Sequence, residues 1–280
     1  MKNLAYRILV AIILLPAALF ALFYSKESFS FLLGLSGIII ALEIAHMISP
    51  KNLAMIFLSI SSFAFILAPV ICGQDFRFIF SFLVLLLMLY GSVFLFSKNF
   101  TRNDLEKAAL IFCFILYVYI GLISSYLLRT GFILDEHTGI AFILIACIAT
   151  WSNDIFAYFG GKSFGKTKLI SRVSPNKTWE GFFLGSIGSI ICTFGIYYIF
   201  QWMGEYIFIE IQAKDIFWIT IPALVFAPVG DLIESKLKRL YEVKDSSKIL
   251  PGHGGFFDRI DSLLLVISWT YFYAFIIRSM

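Results

Sequence analysis

Residues 181–201 read GFFLGSIGSIICTFGIYYIFQ, 21 consecutive residues without a charge. A bilayer core about 30 Å thick takes about 20 apolar residues of helix to cross, so this stretch reads as a membrane span. Working outward from it, eight further stretches qualify: 8–24, 29–49, 53–73, 76–97, 108–128, 139–159, 216–233 and 261–279. The fold expected is therefore all-α, a polytopic membrane protein of about nine transmembrane helices. Composition agrees. Of 280 residues 60% are hydrophobic and 14% charged, and the mean hydropathy is +0.90, whereas a soluble domain carries about 25% charge. That excludes a sizeable water-facing domain. The net charge of +4 is modest, and no nucleic acid is expected as a partner. The cysteines (Cys72, Cys113, Cys147, Cys192) lie in apolar stretches with no CxxC pair. They read as buried small hydrophobes, without a disulfide framework or a zinc site. The first apolar segment has a basic start (Lys2, Arg7) like a signal peptide, but Phe23, Tyr24 and Lys26 make a poor cleavage site, so it reads as a retained helix.

Cytoplasmic loops of membrane proteins carry an excess of Lys and Arg. With the N-terminus in the cytoplasm, the inside segments hold 17 of the 22 basic residues and the outside segments 5, namely Lys26, Arg77, Arg129, Lys214 and Arg278. An odd number of spans then puts the C-terminus on the periplasmic side. Two inside loops, 160–180 and 234–260, are rich in Gly, Ser, Lys and Asp. Charged-substrate chemistry is therefore expected at the cytoplasmic face. The chain divides into an N-terminal region of spans one to five (1–130) and a C-terminal catalytic region (131–280).

Four constellations near the C-terminus could carry chemistry. Asp231 follows Pro228 and Gly230, two residues that weaken a helix. A broken helix at membrane depth is tolerated where it lines a cavity or packs in protein; the plainer reading is an interfacial Asp at a span end. Asp258-Arg259-Ile260-Asp261 opens the last span. Residues three apart share a helix face, and two carboxylates that close repel unless a cation lies between them. Hard cations such as Mg²⁺ take carboxylate oxygens and bind substrate phosphates, although acids at a helix N-terminus also favour the dipole. Pro251-Gly252-His253-Gly254-Gly255 could let successive amides form an anion-binding nest ahead of that helix. His253 could donate to a phosphate or order the loop. The basic run Lys236, Lys238, Arg239, Lys244 and Lys248 serves orientation and anionic headgroups, or capture of a triphosphate and a lipid phosphate.

Upstream, Asp154 and Tyr158 lie one turn apart on a span ending near the cytoplasm, and an intramembrane Asp is a functional candidate. Gly160-Gly161-Lys162 follows, then Ser174-Pro175-Asn176-Lys177-Thr178-Trp179-Glu180, a turn feeding a helix with Thr178 as its cap. Residues 160–167 match G-x-x-x-x-G-K-T letter for letter. The P-loop needs a strand before it and a helix after it. Here an apolar span precedes and Pro175 follows, so a P-loop is rejected, while its glycines and lysines can still touch phosphate. Glu43 and His46, in span two, face a cavity or bond another helix. His137 reads as a solvated loop residue.

The run Ser235-Lys236-Leu237-Lys238-Arg239, then Lys244-Asp245, then His253-Gly254-Gly255 and Asp258-Arg259-Ile260-Asp261 resembles the signature of the phosphatidate cytidylyltransferases, S-x-x-K-R, four residues, K-D, and an H-G-G-x-x-D-R-x-D ending. It covers 27 residues. Gly230-Asp231 and the S-P-x-K-T-x-E-G block from Ser174 to Gly181 are similar too; the N-terminal half is similar in hydropathy only. The resemblance implies transfer of a cytidylyl group from CTP to phosphatidic acid, giving CDP-diacylglycerol and pyrophosphate, in a bacterial inner membrane and facing the cytoplasm. It implies Mg²⁺, with a second cation possible, held by Asp231, Asp258 and Asp261. Lys238, Arg239 and His253 join these acids as catalytic candidates. Lys162, Ser174, Lys177, Thr178, Lys244, Asp245, Gly252, Gly254, Gly255 and Arg259 are candidates for holding substrate. A homodimer is a further expectation. The rival readings are a transporter, which also uses broken helices and buried acids, and a CTP-dependent kinase of the polyprenol type.

Overall fold

The computed structural model describes residues 2–50, 56, 84, 88, 101–131, 133–203, 211–252 and 254–278. Seven α-helices are present among them: α1 (Lys2–Tyr24), α2 (Lys26–Ile48), α3 (Arg102–Arg129), α4 (Glu136–Phe164), α5 (Trp179–Met203), α6 (Ala213–Leu240) and α7 (Phe257–Tyr273). A π-helical turn, Ala274–Arg278, continues α7. Six of the seven, α2 to α7, are long and apolar enough to cross a membrane. The chain is thus a helical, polytopic membrane protein. The expected spans 53–73 and 76–97 lie outside the described residues.

Several helices outrun the apolar stretches that announce them. The helix α4 continues to Phe164 and so includes Gly160, Gly161 and Lys162, and α6 continues to Leu240 through Ser235–Arg239. These segments were expected in loops. Apolar residues mark where lipid is, whereas the helix persists while its own hydrogen bonds do. Basic residues in the last turns, Lys162 in α4 and Lys238 and Arg239 in α6, complement the helix dipole. Nor does α6 break at Pro228; it runs unbroken through both Pro222 and Pro228. A proline removes one bond from the helix ladder, and a membrane helix packed in protein tolerates that loss.

The segment between α4 and α5 departs from a purely helical fold. Strands β1 (Lys168–Ile170) and β2 (Ser174–Thr178) form an antiparallel hairpin, pairing Lys168 with Thr178 and Ile170 with Ser174 across a register shift. The expected cap of α5 is present, since the Gly181 amide donates to Thr178 Oγ1 at 3.2 Å. The stretch that spells a P-loop is the end of α4 and the turn after it, with a helix rather than a strand in front.

The chain forms two compact units. One comprises Met1–Tyr126 with Asp245–Asp258, the other Leu127–Lys244 with Arg259–Met280. In the first, α1 packs on α2. The turn between them is closed by Ser25 and Ser28, whose side chains accept from each other's amides at 3.1 and 3.2 Å. In the second, α4 and α5 run antiparallel at close range. A Cβ on Gly185 would stand 2.5 Å from Asn153 Oδ1, and one on Gly181 2.7 Å from the Ala157 carbonyl. Small residues that let helix backbones approach are the usual basis of packing where both sides are apolar. Interhelical hydrogen bonds add to it: Ser189 Oγ to the Ala149 carbonyl at 2.8 Å, Thr220 Oγ1 to Thr193 Oγ1 at 3.1 Å, and Trp269 Nε1 to the Trp218 carbonyl at 2.7 Å. The Tyr273 hydroxyl donates to Asp215, which is buried at the start of α6. The cysteines are not uniformly buried as expected. Cys113 is exposed, and Cys147 and Cys192 are intermediate and free; on a lipid-facing surface a thiol behaves as one more small apolar group.

Candidate active site

In the second unit, α6 and α7 are antiparallel, with Trp218 bonded to Trp269 near one end and Gly230 against Asp261 near the other. The crossing at Gly230 is tight; a Cβ there would come within 2.5 Å of the Asp261 carbonyl. That approach brings acids from two helices together. Carboxylate oxygens of Asp231, Glu234 and Asp261 lie within 4.8 Å of one another. Glu234 is 1% and Asp261 7% exposed. Asp231 and Glu234 are three apart on α6, the spacing that puts two side chains on one face.

Burying three carboxylates together is unfavourable without positive charge nearby. Two lysines supply part of it. Lys177 Nζ, from the end of β2, is 2.6 Å from Asp231 Oδ2, and Lys238 Nζ is 2.6 Å from Glu234 Oε2. Ser235 Oγ donates to Asp231 Oδ1 at 3.0 Å, and the Ser262 amide to Asp261 Oδ1 at 2.8 Å. Three carboxylates against two ammonium groups leave an excess of negative charge. An all-oxygen, anionic donor set suits a hard divalent cation. Oxygens gathered within 4.8 Å of one another are close enough to share one such ion, and the donor set fits Mg²⁺.

A cavity of about 600 Å³ opens beside the cluster. Asp231 and Pro228 of α6 line one wall, Asn153, Asp154, Tyr158 and Lys162 of α4 another, and Lys168, Ser174, Lys177 and Thr178 of the hairpin a third. Lys162 lies 5.9 Å from the Tyr158 ring. The combination of lysines, hydroxyls and an acid edge suits a polyanion that carries its own cation. Asp154, an acid isolated in an apolar span, thus belongs to the same cavity as Asp231.

In the first unit, the glycine loop is closed by Leu250 and Gly254, which exchange main-chain bonds of 3.0 and 3.2 Å. Gly254 has φ +85° and Gly252 φ +75°, the left-handed region that suits glycine. The amides that hold an anion lie at the end of this loop and just beyond it, and the anions are carboxylates of the chain itself. The Gly255 amide donates to Asp258 Oδ2 at 2.8 Å, and the Phe256 and Phe257 amides donate to Glu43, each at 2.8 Å. Ser246 donates its amide to Asp258 Oδ2 at 3.0 Å, and its hydroxyl oxygen lies 3.1 Å from the same atom.

The site residues expected from sequence therefore divide. Asp231, Asp261, Lys177 and Lys238 come together around the acid cluster, and Lys162, Ser174 and Thr178 line the cavity with Asp231 and Lys177. Lys238 is an ion-pair partner of Glu234 rather than an open phosphate ligand in this arrangement. Asp258 is bonded to the glycine loop. Arg239, Lys244, Asp245 and Arg259 are exposed, with Arg239 donating to the Val243 carbonyl at 3.4 Å. His253 lies outside the described residues. His46 is exposed although Glu43, one turn away, is buried. His137, exposed, is in the first turn of α4 rather than in a loop. Sequence reasoning missed Glu234 as a third acid; its spacing from Asp231 was the available signal.

A family-wide profile for the cytidylyltransferase family matches residues 5–277. The phosphatidate cytidylyltransferase of Bacillus subtilis is 35% identical over 282 aligned positions, 97% of this chain and 98% of that protein. Those of Staphylococcus saprophyticus and Haemophilus influenzae are 39% and 37% identical over shorter stretches, covering 61% and 51% of this chain and 60% and 49% of theirs. The match runs through both the acid cluster and the glycine loop, and the chain belongs to the cytidylyltransferase family.

Proposed function

We propose that the chain transfers a cytidylyl group from CTP to phosphatidic acid, giving CDP-diacylglycerol and pyrophosphate. The observation that carries this reading is the match of nearly the whole chain, end to end, to a phosphatidate cytidylyltransferase. The buried acids beside a lysine-lined cavity support it. An oxygen of the lipid phosphate attacks the α-phosphorus of CTP, and the bond from that phosphorus to the β-phosphate oxygen breaks as pyrophosphate leaves. A phosphate monoester is largely dianionic at neutral pH, its second pKa being near 6, so no side chain has to act as base. The obstacle is repulsion between polyanions. Asp231, Glu234 and Asp261 would hold Mg²⁺, whose charge would offset that of the phosphate oxygens; a second cation is compatible with a chemistry of this charge. The resemblance adds Asp258 as a further acid of the reaction, and Arg239, His253 and Arg259 as groups for phosphate. Lys162, Lys168 and Lys177 of the cavity would hold the triphosphate, and Ser174 and Thr178 would offer hydroxyls to it.

The same reading gives nine spans with the site facing the cytoplasm of a bacterial inner membrane, supported by the distribution of Lys and Arg. A homodimer belongs to it as well, on the resemblance. The test uses purified protein in detergent with phosphatidic acid, Mg²⁺ and CTP labelled either in the base or at the γ-phosphate. Base label in the extracted lipid, with γ-label in pyrophosphate, is the expected result. Label from the γ-phosphate in the lipid would mean a kinase, and no labelled lipid at all would sink the assignment.

A further inference from the structure

Glu43 lies in the membrane-spanning helix α2 and is 2% exposed. Its carboxylate accepts four hydrogen bonds, all from residues more than 200 positions later in the chain. Ser246 Oγ and Ser247 Oγ donate at 3.0 and 2.6 Å, and the Phe256 and Phe257 amides each at 2.8 Å. An ionised carboxylate has about four lone-pair positions, so this set matches its capacity. Two of the donors stand at the entrance to α7, where the helix dipole favours an anion. The seat that a sequence reader would give to a phosphate is taken by a side chain of the protein.

The contacts continue to Asp258. Ser246 Oγ touches both Glu43 Oε2 and Asp258 Oδ2, and the Ser246 and Gly255 amides hold that same Oδ2. Gly255 is hemmed in between them. A Cβ there would fall 1.8 Å from Ser246 Oγ and 2.9 Å from each Glu43 oxygen. Glu43 thus reaches Asp258 through two short paths, the Ser246 hydroxyl and the backbone from Gly255 to Phe257. Charge-assisted hydrogen bonds are roughly twice as strong as neutral ones, so a carboxylate holds these amides in a way a neutral group would not.

We infer that Glu43 is a positioning residue for the cytidylyl transfer: it clamps the segment from Ser246 to Phe257 and so sets the orientation of Asp258 at the head of α7. The inference rests on the proposed activity, in which Asp258 takes part. Partners that orient acids at a metal or phosphate site change affinity or activity by about 10- to 100-fold when removed.

The experiment compares Glu43→Gln, Glu43→Asp and Ser246→Ala in the full chain, purified in detergent. Each is assayed for kcat and for KM toward CTP, for melting temperature, and for the rate of trypsin cleavage after Lys248, an exposed residue of the clamped segment. Folded Glu43→Gln should lose about 10- to 100-fold in kcat, with little change in KM and with several-fold faster cleavage at Lys248. Glu43→Asp, which keeps the charge, should recover part of the kcat, and Ser246→Ala should shift both readouts the same way by less. Wild-type kcat in folded Glu43→Gln would overturn the inference, as would a lost kcat with unchanged cleavage. If neither Glu43 variant folds, Ser246→Ala decides, and wild-type values for it overturn the inference. Were the unaltered protein inactive on CTP and phosphatidic acid, the proposed activity would fail, while cleavage at Lys248 would still report whether Glu43 holds the loop.

Discussion

Glu234 turns a pair of aspartates into a set of three carboxylates, and its chemistry is tied to that of Lys238 one turn on. Glu234→Gln keeps the shape and removes the charge. We expect CDP-diacylglycerol formation to fall about tenfold or more, with the Mg²⁺ titration moving to higher concentration; a wild-type titration curve would remove Glu234 from the metal set. Lys238→Met tests the opposite side of the pair. Removing one partner of a buried ion pair costs roughly 3–5 kcal/mol, so the melting temperature in detergent should drop well below that of Lys236→Met, whose lysine is exposed. Equal melting temperatures would show that Glu234 does not depend on Lys238. Asp231 and Asp261 were legible in the sequence because an acid beside an apolar run stands out against its background. Glu234 was not, because it opens the polar run Glu-Ser-Lys-Leu-Lys-Arg, which reads as loop until the helix is known to continue to Leu240. The role of Glu43 was hidden for another reason: all its partners lie at the far end of the chain.

At the scale of elements, hydropathy located the middles of helices and missed their ends. The apolar stretch 216–233 is real, but α6 extends beyond it at both ends, because polar residues continue a helix into the interface without adding to its hydropathy. The β1–β2 hairpin left even less trace, since strands of three and five residues with mostly polar side chains show no alternation to read. Packing between helices is written in small residues, and there the sequence can be tested directly. Gly185→Val would force a methyl into Asn153 and Ala157. Overpacking of this kind costs about 1–3 kcal/mol, and with backbone on one side of the contact we expect little folded protein on size exclusion. Gly195, in the same helix, has open space where its Cβ would be. Gly195→Ala should therefore be neutral or raise the melting temperature, since Ala is favoured over Gly in a helix by about 1 kcal/mol. Equal behaviour of the two variants would show that the α4–α5 crossing is not set by close approach.

For the whole molecule, chemistry at one face follows from the alternation of spans. Within the second unit, antiparallel α4 and α5 bring the end of one beside the start of the other, with the hairpin between them, and α6 returns its C-terminal half to that same end, where Lys177 meets Asp231. Lys214, in the first turn of α6, stands 17 residues before Asp231, about 26 Å along the helix at 1.5 Å per residue, and the 28 residues of α6 together extend about 42 Å, more than the bilayer core. In the proposed orientation, which follows the distribution of Lys and Arg, the site end is the cytoplasmic one. In a background lacking Cys72, Cys113, Cys147 and Cys192, a membrane-impermeant maleimide added to intact spheroplasts should label Lys214→Cys and spare Lys168→Cys until the membrane is opened. The reverse pattern would place the acids on the outer face, where cytoplasmic CTP has no access, and labelling of both from outside would mean that α6 does not cross.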